Sequence, residues 1–398
     1  MMMLRARLAP VTLVFLSFLL LAGCSNLGLK QDQLNSRELV LERRWALNTA
    51  AKQHLGYRHS NQMTPFIHKD LALKKDLVLQ GNAIDGIIAV DPDTGTTEWE
   101  MRVPNGVSSG VTVAEKRAFF GASDGHFYAV QVWTGDAVWA FPTRVENLAA
   151  PLVHKNSVYF LGGNDVVYAL DADSGKQKWT YTRTAHSDLS IRGGTRPAVY
   201  DKNLYVGFSD GALAALHSDD GSLLWERQLG TSPKFKDIDS SPWVDDKSIY
   251  VSSFDNYLYA LSRSDGQVQW RLEDGGAFPV TVHESTLYYS TSNGKVKAVN
   301  RHSGEILWTK KLKRGIATQP VIFEGYLIYG ESDGPLKVVN AKTGDEVTQF
   351  ETGRGVNAAP AVDSKTGRVY VVSNEGNLFG LAFKWRKDSE NRPVTVRF

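Results

Sequence analysis

The sequence has few of the residues that build disulfide, metal and phosphate sites. It holds one cysteine, Cys24, in 398 residues, so no disulfide can form within the chain. Its nine histidines show no metal-ligand spacing such as HxxxH, and no glycine-rich phosphate-binding loop occurs. The formal net charge is +2, and removing residues 1–23, which carry two arginines and no acid, brings it to about zero. The chain therefore offers no electrostatic basis for binding nucleic acid.

Long hydrophobic runs are confined to the N-terminus. Residues 1–23 read as a secretory signal in which two arginines precede an apolar run from Val11 to Leu21, too short for a membrane span. The run ends in Leu21-Ala22-Gly23-Cys24, which resembles a bacterial lipobox and predicts that Cys24 is lipidated and anchors the chain firmly. The alternative is an incidental cysteine after an ordinary signal. An aspartate directly after the lipidated cysteine tends to retain a lipoprotein at the inner membrane, so Ser25 resembles the signal for sorting to the outer membrane. Residues 24–42 are expected to form a polar tether.

Glycine and tryptophan recur together through the rest of the chain. Six copies place Gly four residues before Trp: Gly95 and Trp99, Gly135 and Trp139, Gly175 and Trp179, Gly221 and Trp225, Gly266 and Trp270, Gly304 and Trp308. In a seventh copy Thr348 stands where the Trp after Gly344 is expected. Successive glycines lie roughly 40 residues apart, a period that indicates a repeat architecture.

Each repeat contains four predicted strands. In the third copy, Val158-Tyr159-Phe160 forms one strand, Val166 to Leu170 alternates as the next, and a turn at Asp173-Ser174-Gly175 leads into the strand of Trp179. A further strand upstream begins near a proline. Eight such units without a convincing helix predict an all-β fold, an eight-bladed β-propeller of four-stranded antiparallel blades over residues 43–383.

The two ends of the chain predict how the ring closes. The eighth unit has its first three strands but no Gly-to-Trp hairpin after them. The sequence Arg44-Trp45-Ala46-Leu47 resembles the start of a fourth strand, so we expect residues 43–48 to pair with the last blade. This closure removes open sheet edges. The repeated tryptophans are expected to be structural and to fill the wedge between neighbouring blades.

Two neighbouring links between blades are longer than most others. They are the 180–196 and 230–241 loops, and insertions on one face of a repeat protein commonly mark a binding face. The first loop holds Leu189, Ile191 and Arg192, a composition typical of binding hot spots. The second holds Asp237 and Asp239. Arg192 can instead brace the loops through one of these carboxylates, and the two interpretations can coexist.

These features together resemble the BamB family, the propeller lipoproteins of the outer-membrane β-barrel assembly (BAM) machine. The resemblance rests on the lipobox, the Trp-docking repeats, the loop motif from Leu189 to Gly193 and the motif Asp237-Ile238-Asp239. It implies that Leu189, Ile191, Arg192, Asp237 and Asp239 bind the periplasmic POTRA region of BamA. It also implies contact with other BAM subunits and nascent outer-membrane proteins, and a lipid-anchored location on the periplasmic face of the outer membrane. The tail, residues 384–398, departs from the family pattern and receives no role.

Two other function classes fit a propeller of this kind. The repeats resemble those of quinoprotein dehydrogenases, which bind pyrroloquinoline quinone with Ca²⁺, an adjacent-cysteine disulfide and a catalytic aspartate. A chain with one cysteine cannot form that disulfide, and Asp91 and Asp171 occupy hairpin positions where a turn role is simpler. We therefore expect no enzyme activity, no cofactor and no metal. The remaining alternative is a periplasmic propeller for another partner, such as cell-wall glycan or a sensor kinase.

Overall fold

The computed structural model describes residues 37–49, 61–146, 149–183, 195–230, 237–253 and 257–387. The regular secondary structure in these ranges consists of β-strands alone, as the repeat pattern predicts. Within the same ranges, no helix is long and apolar enough to cross a membrane. The chain divides into two compact units, Leu41–Phe383 and the two chain ends, Met1–Val40 with Lys384–Phe398.

Seven four-stranded antiparallel sheets use consecutive strands in chain order. Blades 1 to 3 comprise β2 (Phe66–Asp70), β3 (Lys75–Asn82), β4 (Gly86–Val90), β5 (Thr97–Arg102); β6 (Val111–Ala114), β7 (Arg117–Gly121), β8 (His126–Gln131), β9 (Ala137–Pro142); β10 (Leu152–His154), β11 (Ser157–Leu161), β12 (Val166–Asp171), β13 (Gln177–Thr182). Blades 4 and 5 comprise β14 (Ala198–Tyr200), β15 (Asn203–Gly207), β16 (Ala212–His217), β17 (Leu223–Gln228); β18 (Trp243–Val244), β19 (Ser248–Ser253), β20 (Tyr257–Ser262), β21 (Val268–Glu273). Blades 6 and 7 comprise β22 (Thr281–His283), β23 (Thr286–Ser290), β24 (Lys295–Asn300), β25 (Ile306–Lys311); β26 (Val321–Phe323), β27 (Tyr326–Gly330), β28 (Leu336–Asn340), β29 (Glu346–Phe350).

The eighth blade joins the two ends of the chain. Its strands are β30 (Ala361–Val362), β31 (Arg368–Val372), β32 (Asn377–Lys387) and, at the outer edge beside β32, β1 (Arg37–Asn48). The predicted ring closure by an N-terminal strand is therefore confirmed. The closing strand is longer than the 43–48 segment, since β1 includes residues 37–42 that the sequence assigns to the tether. At the other end, β32 continues past residue 383 to Lys387.

The repeated tryptophans join each blade to the next. In blade 3 the indole N–H of Trp179 donates to the carbonyl of Ser218, at 3.0 Å, in a turn of blade 4. The ring packs on Gly221 of the same turn so closely that an added Cβ would lie 2.6 Å from it. The same pairing with the following glycine is made by Trp45 with Gly95, Trp99 with Gly135, Trp139 with Gly175, Trp225 with Gly266, Trp270 with Gly304 and Trp308 with Gly344. These residues are structural, as predicted.

A small residue stands opposite each docking tryptophan within its own blade. In blade 3 Ala169 pairs with Trp179, and a β-bulge follows directly at Leu170. Alanine is the partner in all six sequence-continuous blades that carry the Trp: Ala89, Ala129, Ala169, Ala215, Ala260 and Ala298. In blade 7, where Thr348 replaces the Trp, the partner is the larger Val338. The larger valine therefore makes up only part of the volume that the missing indole would fill.

Strand alternation gives the propeller two faces. We call the face that carries the connections between blades, together with the turns from second to third strand, the link face. The opposite face, with the turns from first to second and third to fourth strand, is the turn face. The apolar core lies between blades: Leu161 and Val167 of blade 3, for example, pack with Val206 and Leu216 of blade 4.

Candidate functional site

The predicted site residues fall partly within the described structure. Cys24, Leu189, Ile191 and Arg192 lie outside the described residues, so their roles stay predictions. Asp237 and Asp239 are described, and both belong to the connection between blades 4 and 5 on the link face.

The residue between the two aspartates fixes their backbone. Ile238 is buried in the core between blades 4 and 5. Its N–H donates to the carbonyl of Phe208 at 3.1 Å, and its own carbonyl accepts a hydrogen bond from the hydroxyl of Thr195. Gly207 permits this approach, since a Cβ there would lie 2.3 Å from the Ile238 side chain. The Asp-Ile-Asp segment is therefore held by the blade and is not a free loop at this point.

Asp237 is a buried carboxylate without a partner. The residue is 0% exposed, and neither of its carboxylate oxygens has a hydrogen-bond partner among the described residues. Its backbone carbonyl is satisfied by the Ser253 hydroxyl at 3.2 Å. A buried carboxylate left without a hydrogen bond or a cation costs several kcal/mol by the usual order of magnitude. The position is therefore one that a cationic group would stabilise.

Asp239 is half-buried beside Asp237. Burial, and then the charges of Asp237 and Asp165, raise the pKa of Asp239 to about 7. The carboxylates of Asp237, Asp239 and Asp165 therefore lie near enough to interact. At neutral pH the carboxyl group of Asp239 is only partly ionised.

Asp165 brings a second blade to the cluster. It lies in the turn between β11 and β12 with φ 57°, where the corresponding positions of blades 2 and 4 are Gly125 and Gly211. Burial raises the pKa of Asp165, and the hydrogen bond that it accepts from the Ser209 hydroxyl partly offsets this effect. A non-glycine residue at a glycine position is the sequence signal that could have revealed this residue.

The nearby cation of blade 3 is already engaged. Arg183 bonds Glu226 through Nη2 at 2.8 Å and Nε at 3.0 Å, and its Nη1 pairs with Asp210. Its guanidinium also lies over the Phe208 ring, 5.1 Å from the centroid. Arg183 therefore braces blade 3 against blade 4 and is not available to Asp237. Sequence reasoning missed this brace, because Arg183 lies outside the two loop motifs.

The cluster suits a partner that offers a guanidinium or an ammonium group. Charge-assisted hydrogen bonds to carboxylates are about twice as strong as neutral ones, and a buried site strengthens them further. Over the described ranges, no group of His, Cys, Asp or Glu residues has an arrangement that could hold a metal ion. The charge of these buried and half-buried carboxylates is the feature of the link face that suits a basic side chain.

The architecture defines the chain as an eight-bladed β-propeller of Trp-docking repeats. A family model described as outer membrane protein assembly factor BamB matches residues 84–310 and 292–397, which together are most of the chain. The chain belongs to this family, in agreement with the resemblance found in the sequence.

Individual relatives agree with this assignment. The outer membrane protein assembly factor BamB of Yersinia pestis is 26% identical over 235 residues, which cover 56% of this chain and 51% of the relative. The chain thus spans about half the length of this curated relative. The crystal structure of BamB from Moraxella catarrhalis matches with a TM-score of 0.73 at 22% identity, covering 86% of this chain and 100% of that one. A europium-containing methanol dehydrogenase matches with a TM-score of 0.69 at 16% identity, covering 86% and 93%. At these identities the two structures show the fold alone.

Proposed function

We propose that this chain is a non-catalytic scaffold of the BAM complex that binds the periplasmic POTRA region of BamA and assists the folding and insertion of outer-membrane proteins. The observation that carries the proposal is the buried, unpartnered Asp237 beside Asp239 on the link face. The names of the relatives, assembly factors of the outer membrane, support it.

The carboxylate cluster supplies the recognition in this proposal. An arginine or lysine of the POTRA region enters beside Asp237 and Asp239 and pairs with their carboxylates. The partner cation favours the ionised form of Asp239, whose pKa burial otherwise raises to about 7. The backbone of the Asp-Ile-Asp segment is already fixed by Ile238, so this segment loses little conformational entropy on binding.

The first long loop completes the surface in this proposal. Leu189 and Ile191 supply apolar contacts, and Arg192 supplies a second charged anchor, which is a typical hot-spot composition. Other BAM subunits and nascent outer-membrane proteins are the remaining proposed partners. Lipidation of Cys24 places the propeller in the periplasm at the outer membrane.

The test is capture of the BamA POTRA region by charge variants of the second link. Asp239→Arg should weaken capture by at least about tenfold, or roughly 1.4 kcal/mol, because it places like charge against the partner cation. Asp237→Asn should weaken capture while preserving the shape of the side chain. The control is Asp219→Arg, an exposed position on the turn face.

The two outcomes separate binding from folding. The melting temperature of Asp237→Asn should not fall, since the change removes an unpaired buried charge. Undiminished capture by both link variants, or a loss equalled by Asp219→Arg, would contradict the proposal.

A further inference from the structure

The first hairpin of blade 1 projects beyond the others on the turn face. In blade 3 the hairpin ends at the pair His154 with Ser157, which corresponds to His68 with Leu77 in blade 1. Blade 1 adds two more pairs, Lys69 with Asp76 and Asp70 with Lys75, and then a four-residue turn. Two extra pairs extend the hairpin by about 7 Å. We call residues 69–76 the blade 1 finger.

The tip of the blade 1 finger presents two leucines to solvent. Leu71 is 77% exposed and Leu73 is 62% exposed, the two most exposed large hydrophobic side chains of the described residues. The turn is preorganised, because the Asp70 carboxylate accepts hydrogen bonds from the N–H groups of Ala72 and Leu73, both at 2.9 Å. The leucines are therefore held outward by a defined turn.

The base of the blade 1 finger lies beside an unusual tryptophan. Trp133 occupies the turn between β8 and β9, with the Lys75 ammonium 5.7 Å from its ring centroid and the His68 ring 5.3 Å away. The same position in the other Gly-to-Trp turns and in the Gly344 turn is polar: Asp93, Asp173, Asp219, Ser264, His302 and Lys342. Exposed leucine with neighbouring tryptophan and lysine is the composition that segments at a membrane interface use.

The charge around the blade 1 finger also fits a membrane surface. Six successive blades, from blade 8 through blade 5, carry an exposed lysine in the turn from first to second strand, and three of these lie on or beside the blade 1 finger: Lys365 in blade 8, Lys74 in blade 1 and Lys116 in blade 2. None of the three has a salt-bridge partner among the described residues. Lysines near an anionic bilayer surface are attracted to it, so they favour contact with acidic phospholipid.

The chain enters the propeller on this same face. The end of β1 lies on the link face, since the N–H of Thr49 donates to the carbonyl of Gly376 at 2.8 Å in the turn from β31 to β32. Leu41, the first residue of the propeller unit, therefore lies towards the turn face. It follows Cys24 by only 17 residues, a reach of at most about 60 Å.

We propose that the blade 1 finger inserts Leu71 and Leu73 into the interface of an anionic phospholipid membrane. The contact holds the turn face against the bilayer and leaves the link face open to protein partners. The inference rests on the proposed lipidation of Cys24 for the choice of membrane, and it does not depend on BamA.

A single-site fluorescent probe tests insertion in the lipidated full-length protein. Cys24 is the only cysteine and carries the lipid, so Leu71→Cys introduces one free thiol for a bimane label. In phosphatidylglycerol-containing vesicles, lipids with a shallow spin label should quench this probe. Labels at Glu324→Cys, on a short turn of the turn face, and at Lys313→Cys, on the link face, should remain accessible to aqueous quencher.

A second measurement keeps the result independent of the anchor. In the mature chain with Cys24→Ala, adding Leu71→Ser and Leu73→Ser should lower cosedimentation with anionic vesicles by at least about tenfold, since each leucine contributes apolar burial. The two exposed leucines do not pack in the hydrophobic core, so the melting temperature should not change.

Unchanged cosedimentation, or a Leu71 probe that lipid spin labels do not quench, would overturn the proposal. A probe that becomes shielded only when other BAM subunits are added would also overturn it and assign the finger to a protein partner. Capture of BamA by the double serine variant should be unaffected, so this failure is distinct from a failure of the proposed function.

Discussion

Asp239 gives the propeller a dependence on pH near neutrality. Burial and the neighbouring carboxylates raise the folded-state pKa to about 7, well above the unfolded value near 4. A carboxyl with a raised pKa contributes stability at low pH, and this contribution is lost as pH rises through about 7. We expect the free protein to melt at a higher temperature at pH 5.5 than at pH 8. In Asp239→Asn this part of the difference should disappear, and an unchanged pH profile by calorimetry would refute the assignment.

Partner binding should depend on pH in the opposite direction. If a partner cation pairs with Asp239, ionisation is needed for binding, so capture of the POTRA region should strengthen as pH rises from 6 to 8. Binding measured across this range with wild type and Asp239→Asn tests the link between the two effects. The variant should bind weakly at both pH values. An equally steep pH dependence of binding in the variant would contradict the pairing of Asp239 with a partner cation.

At the residue scale, the sequence located only part of this chemistry. The motif Asp237-Ile238-Asp239 was recognised by resemblance to a family. Its burial was not predictable, because it depends on Ile238 filling the space above Gly207 from a separate strand. Asp165 was readable in principle, since it replaces the glycine of the equivalent turns. Arg183, at the end of blade 3, pairs with Glu226 and Asp210 of blade 4. No local sequence pattern encodes this contact between blades.

At the element scale, the structure explains why the seventh repeat lacks its tryptophan. Each docking tryptophan bonds the turn between the third and fourth strands of the next blade. Blade 8 has no such turn, because β32 and β1 come from opposite ends of the chain. Thr348 therefore has no carbonyl and glycine to dock on. The space between blades 7 and 8 is filled by other aromatic contacts, such as Phe350 with Phe379 at 5.4 Å.

The docking interaction can be tested at its glycine. Gly221→Ala meets both a positive φ of 74° and an added Cβ only 2.6 Å from the Trp179 ring. Gly325→Ala is the matched control, with φ 81° and no atom within 4 Å of an added Cβ. The control should cost about 1 kcal/mol of unfolding free energy through backbone strain alone. Gly221→Ala should cost at least about 1 kcal/mol more through the clash. If both variants lost the same unfolding free energy in urea denaturation, close packing of the indole on Gly221 would not contribute to stability.

At the scale of the whole molecule, the period of the repeat was sufficient to predict the fold. Eight units of four strands follow from regular glycine and tryptophan spacing. Ring closure follows from the one unit whose four strands are divided between the two ends of the chain. The full lengths of β1 and β32 were not predictable. The residues from 37 to 42 and from 384 to 387 have no counterpart in the other blades, so a repeat pattern contains no information about them.

Ring closure makes the stability of the whole propeller depend on β1. The Trp45 indole N–H donates to the carbonyl of Pro92 in blade 1 at 3.0 Å, and its ring packs on Gly95 of blade 1 and Gly380 of blade 8. Deleting residues 25–36 leaves this strand intact and should not alter melting. Deleting residues 25–48 removes Trp45 and exposes the edge of β32, so melting should fall by several degrees and aggregation should increase.

Substitution of one side chain separates the tryptophan from the strand. Trp45→Ala keeps the β1 backbone, and the lost ring should cost on the order of 3–5 kcal/mol of unfolding free energy, as for other buried aromatic truncations. This variant should melt below the 25–36 deletion but remain soluble, because the edge of β32 is still covered by β1. If the 25–36 and 25–48 deletions melted at the same temperature, closure of the ring by β1 would not be what holds blades 8 and 1 together.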